Sequence, residues 1–316
     1  MVFGRNYDWV TDAGMVCTNL RGMAKTSVKR ANGETISWVS QFGSVTFNQY
    51  GKEFPTGGMN EKGLVVELMW LDETIYPAND NRPAISVLQW IQYQLDNCST
   101  IDDIIATDKK IRISPADNTP LHYLVADAKG DAATIEFLQG KMVVHKGSDL
   151  AFPVLTNNSY DESVKAYKNS ATGGNNSLER FEQACNMITQ FKKDNSNTPV
   201  VDYSFDILSE VAQGNFTKWS IVYDITNKKI HFKTDRFKQV KTVSFSSFDF
   251  SCTSTAKARD MNQVGKGNID NLFENFSTTI NKKIIETAAK ESESRVMINQ
   301  QDRQRLWQYP SSVKCN

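Results

Sequence analysis

The sequence predicts an α+β fold in which antiparallel sheets are covered by helices. Three observations carry this. Short apolar or alternating runs, bounded by Gly, Asn and Asp, recur along the chain. Apolar residues at steps of three and four mark a few separate helices. No strand–helix–strand rhythm of the parallel kind links them. The 316 residues are ample for a large core, in one big domain or two ordinary ones. No internal repeat, low-complexity linker or boundary divides them, so 1–316 reads as a single domain with a polar tail from about 291.

Val2-Phe-Gly-Arg-Asn-Tyr-Asp-Trp9 opens like a strand, and Gly4 allows close backbone approach. Arg5 and Asp8 lie among Phe3, Tyr7 and Trp9. Burying two opposite charges there is costly unless they hold something; the plain alternative is an edge strand with a solvated ion pair. Residues 11–34 are polar and read as a short strand around Met15-Val16 followed by a loop. Thr35–Val39 and Val45–Tyr50 alternate as strands, Gly57-Gly58 makes a turn, and Leu64–Leu71 is another strand. Pro83 precedes a helix with Ile85, Leu88, Ile91 and Leu95 on one face. A shorter helix starts at Thr100, with Asp102 and Asp103 in its first turn.

Strands return at Leu121–Ala126, Ala133–Phe137 and Met142–His145, the first pair joined by the hairpin signal Asp127-Ala-Lys-Gly130. Phe152–Thr156 reads as a strand that stops at Asn157-Asn158, and 168–176 as a loop. Asn176 or Ser177 caps a helix, with Glu179 placed to reach back and Leu178, Phe181, Cys185, Ile188 and Phe191 as its buried stripe. Val200–Ala212 is a further helix. Trp219–Asp224 and Lys229–Lys233 form a hairpin, and Ile269, Leu272, Phe276, Ile280 and Ile284 mark a late helical region.

Lys+Arg and Asp+Glu are 36 each, so nothing suggests a nucleic-acid or membrane footprint. Mean hydropathy is −0.46, and no apolar run approaches transmembrane length. No signal peptide is present in the sequence as written. The five cysteines, at 17, 98, 185, 252 and 315, have no CxxC spacing; their odd number argues against a complete disulfide framework, and none has metal-like neighbours. Neither HExxH, GxSxG, GxxxxGK nor GxGxxG occurs, so zincin, α/β-hydrolase, P-loop and Rossmann readings lose support. Cys17 followed by Thr18 is a conceivable nucleophile, with His122 or His145 as base. The spacing favours a small buried Cys17 and core or surface histidines.

Five ordered motifs resemble the choloylglycine hydrolase family, which holds the penicillin V acylases and conjugated bile acid hydrolases within the N-terminal nucleophile hydrolases. Gly4-Arg-Asn-Tyr-Asp-Trp9 resembles the segment after the family's nucleophile strand. Gly58-Met-Asn-Glu-Lys-Gly-Leu64 resembles the turn into a strand ending here at Met69-Trp70-Leu71. Leu155-Thr-Asn157, Ser177-Leu-Glu-Arg-Phe181 and Trp219-Ser-Ile-Val-Tyr-Asp224 resemble the family's later segments. Trp70 and the following Asp72-Glu-Thr-Ile-Tyr-Pro77 look closer to the Gram-negative penicillin acylase branch.

The resemblance implies a four-layer αββα sandwich and hydrolysis of a linear amide by an N-terminal cysteine whose α-amine acts as base. It implies that Arg5 lies beside the thiol and favours the thiolate, and that Asp8 orients the α-amine. It implies that the Asn157 side chain and the Trp70 N–H hold the tetrahedral oxyanion. Arg180 would add positive charge and pin Asp8 or the substrate. The substrate implied is a small acyl amide, with no metal or organic cofactor. A homotetramer and a periplasmic or secreted location follow from family habit, the location resting on a missing leader; without one it is cytoplasmic.

The family's nucleophile belongs one short hairpin before Gly4, and the sequence begins at Met1. Two expectations follow. Either this is part of a longer chain lacking its first strand and cysteine, or it is a catalytically inactive relative that binds acyl amides. The first is favoured, since Val2 enters mid-motif.

Overall fold

A computed structural model describes residues 1–29, 33–117, 119–193 and 198–316. Among these residues the strands form four sheets. One has the order β1 (Val2–Asp8), β13 (Thr217–Asp224), β14 (Lys229–Thr234), β15 (Lys241–Ser244) and β17 (Gly267–Asn268). The largest runs β12 (Lys141–Lys146), β11 (Ala132–Leu138), β10 (Leu121–Ala126), β7 (Val65–Trp70), β6 (Gly57–Asn60), β5 (Ser44–Asn48), β2 (Met15–Asn19), β16 (Lys257–Asp260) and β18 (Glu274–Asn275). Two small sheets hold β19 (Lys314–Cys315), β3 (Met23–Thr26) and β4 (Ser37–Val39), and the parallel pair β8 (Ala84–Ile85) and β9 (Arg112–Ile113).

The two large sheets face each other across an aromatic core. Phe47 of β5 meets Tyr223 of β13 and Phe232 of β14 edge-on, at 6.2 and 5.5 Å between ring centroids. Helices cover the outer faces. α5 (Val200–Glu210) lays Phe205 and Leu208 on Val2 and Val222. On the other side α1 (Val87–Asn97) packs Trp90 and Ile91 against the core below β6 and β7, and α6 (Thr278–Glu291) sets Ile284 on Met15, Cys17 and Ala258. These are the four layers αββα. Ser86 caps α1, and Thr100 and Asp103 form a capping box on α2 (Ile101–Thr107).

Some elements differ from the sequence reading. Gly57 and Gly58 belong to β6 rather than a turn. A Cβ on Gly58 would stand 2.6 Å from the Val45 carbonyl, so the glycine serves close strand approach. β3 lies in the expected loop, of which residues 30–32 fall outside the described residues. Phe152–Thr156 forms no strand; Pro153 interrupts it, and its apolar side chains pack on Tyr160 and Phe181. α3 (Tyr160–Lys168) follows, unanticipated, with Asp161 and Glu162 in its first turn. α4 (Asn176–Lys193) is capped by Asn175, whose Oδ1 accepts from the N–H groups of Ser177 and Leu178, while Glu179 reaches back to the Gly174 N–H. Residues 269–276 hold a 3₁₀ turn (Asp270–Leu272) and the short strand β18, so the late helix begins only with α6.

The tail from 291 is folded. α7 (Gln300–Gln308) packs on α6, and β19 pairs with β3. Cys252 and Cys315 form a disulfide, while Cys17, Cys98 and Cys185 are free and buried, so the cysteines make no complete disulfide framework.

Candidate active site

The site lies where the β6–β7 ladder ends. On the β10 side of β7, Leu71 N–H reaches Pro120 O at 3.1 Å, so odd-numbered residues of β7 face β10. Even-numbered residues face β6. The Leu68 N–H still reaches Thr56 O at 3.4 Å, but the pairing register closes at Gly57 opposite Glu67. The Trp70 N–H and C=O therefore point to a side from which β6 has departed.

Two side chains dock on this edge. Arg5 Nη2 donates to Leu68 O at 3.0 Å, and Asn157 Nδ2 donates to Trp70 O at 2.9 Å. Arg180 Nη2 donates to Asn157 Oδ1 at 2.7 Å, which fixes which end of the amide faces β7. The Asn157 amide keeps a second Nδ2 hydrogen. The Asn157 backbone N–H is held by Ser177 Oγ at 2.8 Å. Burial pulls the Arg180 guanidinium below its ordinary value, and nearby Asp8 partly offsets this.

Arg5 is 5% exposed and pairs with Glu67, not Asp8: its Nε lies 3.1 Å from Glu67 Oε2. Its guanidinium also covers the Tyr7 ring at 4.5 Å, and its Nη1 makes no hydrogen bond. Glu67 was not anticipated. It is fully buried, accepts from the Tyr223 hydroxyl, and is pushed up to about 7 by burial, with Arg5 and then Tyr223 opposing. A lone acid inside Val65-Val-Glu-Leu-Met-Trp70 was the available signal. Asp8 accepts from Gln213 Nε2 at 2.7 Å and from the Thr217 hydroxyl. Arg180 holds Asn157 rather than Asp8.

These groups line one cavity of about 1320 Å³. Arg5, Asp8, Trp70, Asn157 and Arg180, the residues named from sequence, all reach it. So do Trp9 and an apolar wall that includes Leu155, Ile188, Phe191 and Ile207. Trp9 and Trp70 flank each other, 6.2 Å between centroids. Cys17 is fully buried among Asn48, Thr46 and Asn19 and does not line the cavity. His122 is also fully buried, and His145 lies on β12 beside Asp161. Among the described residues no group of three or more His, Cys, Asp or Glu could hold a metal ion, and no helix is long and apolar enough to cross a membrane.

Residues 1–201 match the profile of the linear amide C–N hydrolases, choloylglycine hydrolase family, and the chain belongs to that family. A penicillin V acylase of Pectobacterium atrosepticum is 30% identical over 210 residues, 58% of this chain; the match spans 54% of that relative's length. The structure of a penicillin V acylase from Agrobacterium tumefaciens superposes with a TM-score of 0.75 at 25% identity, covering 87% of this chain and 94% of that one. A mutant conjugated bile acid hydrolase from Clostridium perfringens shares the fold at 16% identity, with a TM-score of 0.68 over 84% of this chain and 94% of its own.

Proposed function

We propose that the protein hydrolyses a linear amide joining an apolar acyl group to a polar amine, using an N-terminal cysteine that precedes Val2 in the mature chain. The observation that carries this is the convergence of Arg5, the Trp70 N–H and the Asn157 amide on one strand end, inside an apolar cavity. The thiolate attacks the amide carbonyl, and the Trp70 N–H and Asn157 Nδ2 receive the developing oxyanion. The C–N bond then breaks, the amine leaves with a proton from the cysteine's α-ammonium, and water hydrolyses the thioester.

Arg5 lines the cavity, leaves its Nη1 without a hydrogen bond, and favours the thiolate. Asp8, held by Gln213 and Thr217, orients the α-amine. Arg180 fixes the Asn157 amide through its Oδ1. Penicillin V, N-acyl homoserine lactones and conjugated bile acids are the substrate classes to screen. The Cys252–Cys315 disulfide supports a periplasmic or secreted location. A homotetramer is proposed from family habit alone.

The test is intact mass and N-terminal sequencing of the protein from its native host, followed by an acyl-amide panel. A mature N-terminal cysteine with hydrolysis supports the proposal. A mature terminus at Met1 or Val2 overturns it and leaves an acyl-amide binding protein without catalysis.

A further inference from the structure

His122 reaches the site through the backbone. It lies on β10 with no exposed surface. Its Nε2 stands 2.7 Å from the Thr156 carbonyl, and its Nδ1 stands 3.1 Å from Glu136 Oε1. A carbonyl only accepts, so Nε2 must carry a hydrogen. The second contact is with a carboxylate, so a further proton lies between Nδ1 and Glu136. Glu136 is itself held, by the Tyr160 N–H at 3.0 Å. Its other oxygen stands 3.9 Å from His145, whose far nitrogen meets Asp161 at 3.1 Å.

The bond made by Nε2 falls on the peptide that carries Asn157. That peptide is gripped at both ends: its carbonyl by His122 and its N–H by Ser177 Oγ at 2.8 Å. With backbone and side chain both fixed, Asn157 Nδ2 has one direction left. We infer that His122, braced by Glu136, is a positioning residue that aims the Asn157 amide, and so the oxyanion donor of the proposed hydrolysis. The inference rests on that reading of Asn157. Preorganised donors act through fixed direction, and small misplacements of such groups are costly to rate.

The test uses the full chain from the native host, in wild-type form and as His122→Leu, His122→Gln and Glu136→Gln. His122→Leu removes the donor and should lower kcat for an acyl amide tenfold or more with KM nearly unchanged. His122→Gln restores a donor and should recover part of kcat. In ¹⁵N spectra the Asn157 side-chain amide should lose its protected hydrogen in His122→Leu. A wild-type kcat in His122→Leu, or a change confined to KM, overturns the inference. Should His122→Leu fail to fold, Glu136→Gln carries the same comparison, and an unmoved Asn157 signal overturns it. A wild-type protein with no hydrolysis defeats the proposed function instead. The Asn157 signal then decides the positioning role: a shift supports it, and no shift ends it.

Discussion

Glu67 makes stability a function of pH in a direction opposite to most carboxylates. Its side chain has no exposed surface, so solvent screening does not dilute the effect. Burial raises its titration from 4.5 to about 7 despite Arg5 and the Tyr223 hydroxyl. That interval, at 1.36 kcal/mol per pH unit, amounts to about 3 kcal/mol. The folded chain binds this proton more tightly than the unfolded chain. The contribution is therefore fully present below about pH 4.5 and is lost as pH rises to about 7. Glu67→Gln has no such proton to release. Its neutral amide gives Arg5 no carboxylate partner at any pH, so this site adds no pH step to the variant's stability. The diagnostic quantity is thus the difference in slope, not the offset. Urea unfolding of both proteins from pH 4 to 8 should show the wild type losing about 3 kcal/mol relative to the variant between pH 4.5 and 7. Parallel stability curves would refute the argument.

Other outcomes follow from the same geometry. Asn157→Ala should lower kcat for acyl-amide hydrolysis by about 10²–10³-fold in the protein from its native host, since one oxyanion donor is removed; a change in KM alone would contradict this. Phe181→Ala hollows the cluster of Leu155, Tyr160 and Cys185 and should cost about 3–5 kcal/mol in denaturant unfolding. Gly57→Ala would place a Cβ 2.0 Å from Glu67 Oε2 and should lower Tm sharply, while Gly57→Ala combined with Glu67→Ala should recover part of that loss. Cys252→Ser opens a link between residues 63 apart and should cost about 4 kcal/mol by the chain-entropy estimate, read in non-reducing urea titrations.

The strands and helices that pack on two sides were legible because burial writes period into sequence. The apolar run of β7 and the stripe of α1 are of this kind, and the Thr100–Asp103 capping box is a local hydrogen-bond pattern that needs no tertiary context. β6 was hidden because its two glycines answer to neighbouring strands rather than to a turn. Phe152–Thr156 looked like a strand from hydrophobicity, yet a ladder requires a partner and a free N–H at Pro153. The start of α3 carries its own signal in Asp161 and Glu162, acidic residues in the first turn.

For the site, residue types and order were readable, but pairings were not. Arg5 is nearer in sequence to Asp8 yet bonds to Glu67, because alternate residues of β1 face opposite ways. Arg180 meets Asn157 only through the packing of α4. Cys252 and Cys315 meet only because β19 returns to β3.

Arg5 and Asn157 take carbonyls of alternate residues, Leu68 and Trp70, along a single strand. Their separation is thus gauged by strand pitch, about 7 Å, and not by the torsions of two side chains. Loops and helices that deliver the two groups can lengthen or drift in sequence while still reporting to the same marks. The walls of the cavity can be reshaped for different acyl groups without touching that interval. A slip of β7 by one residue would turn both marks away at once. The reacting centre therefore behaves as a quantised unit, held at its full spacing or lost entire, while selectivity is free to vary by degrees around it.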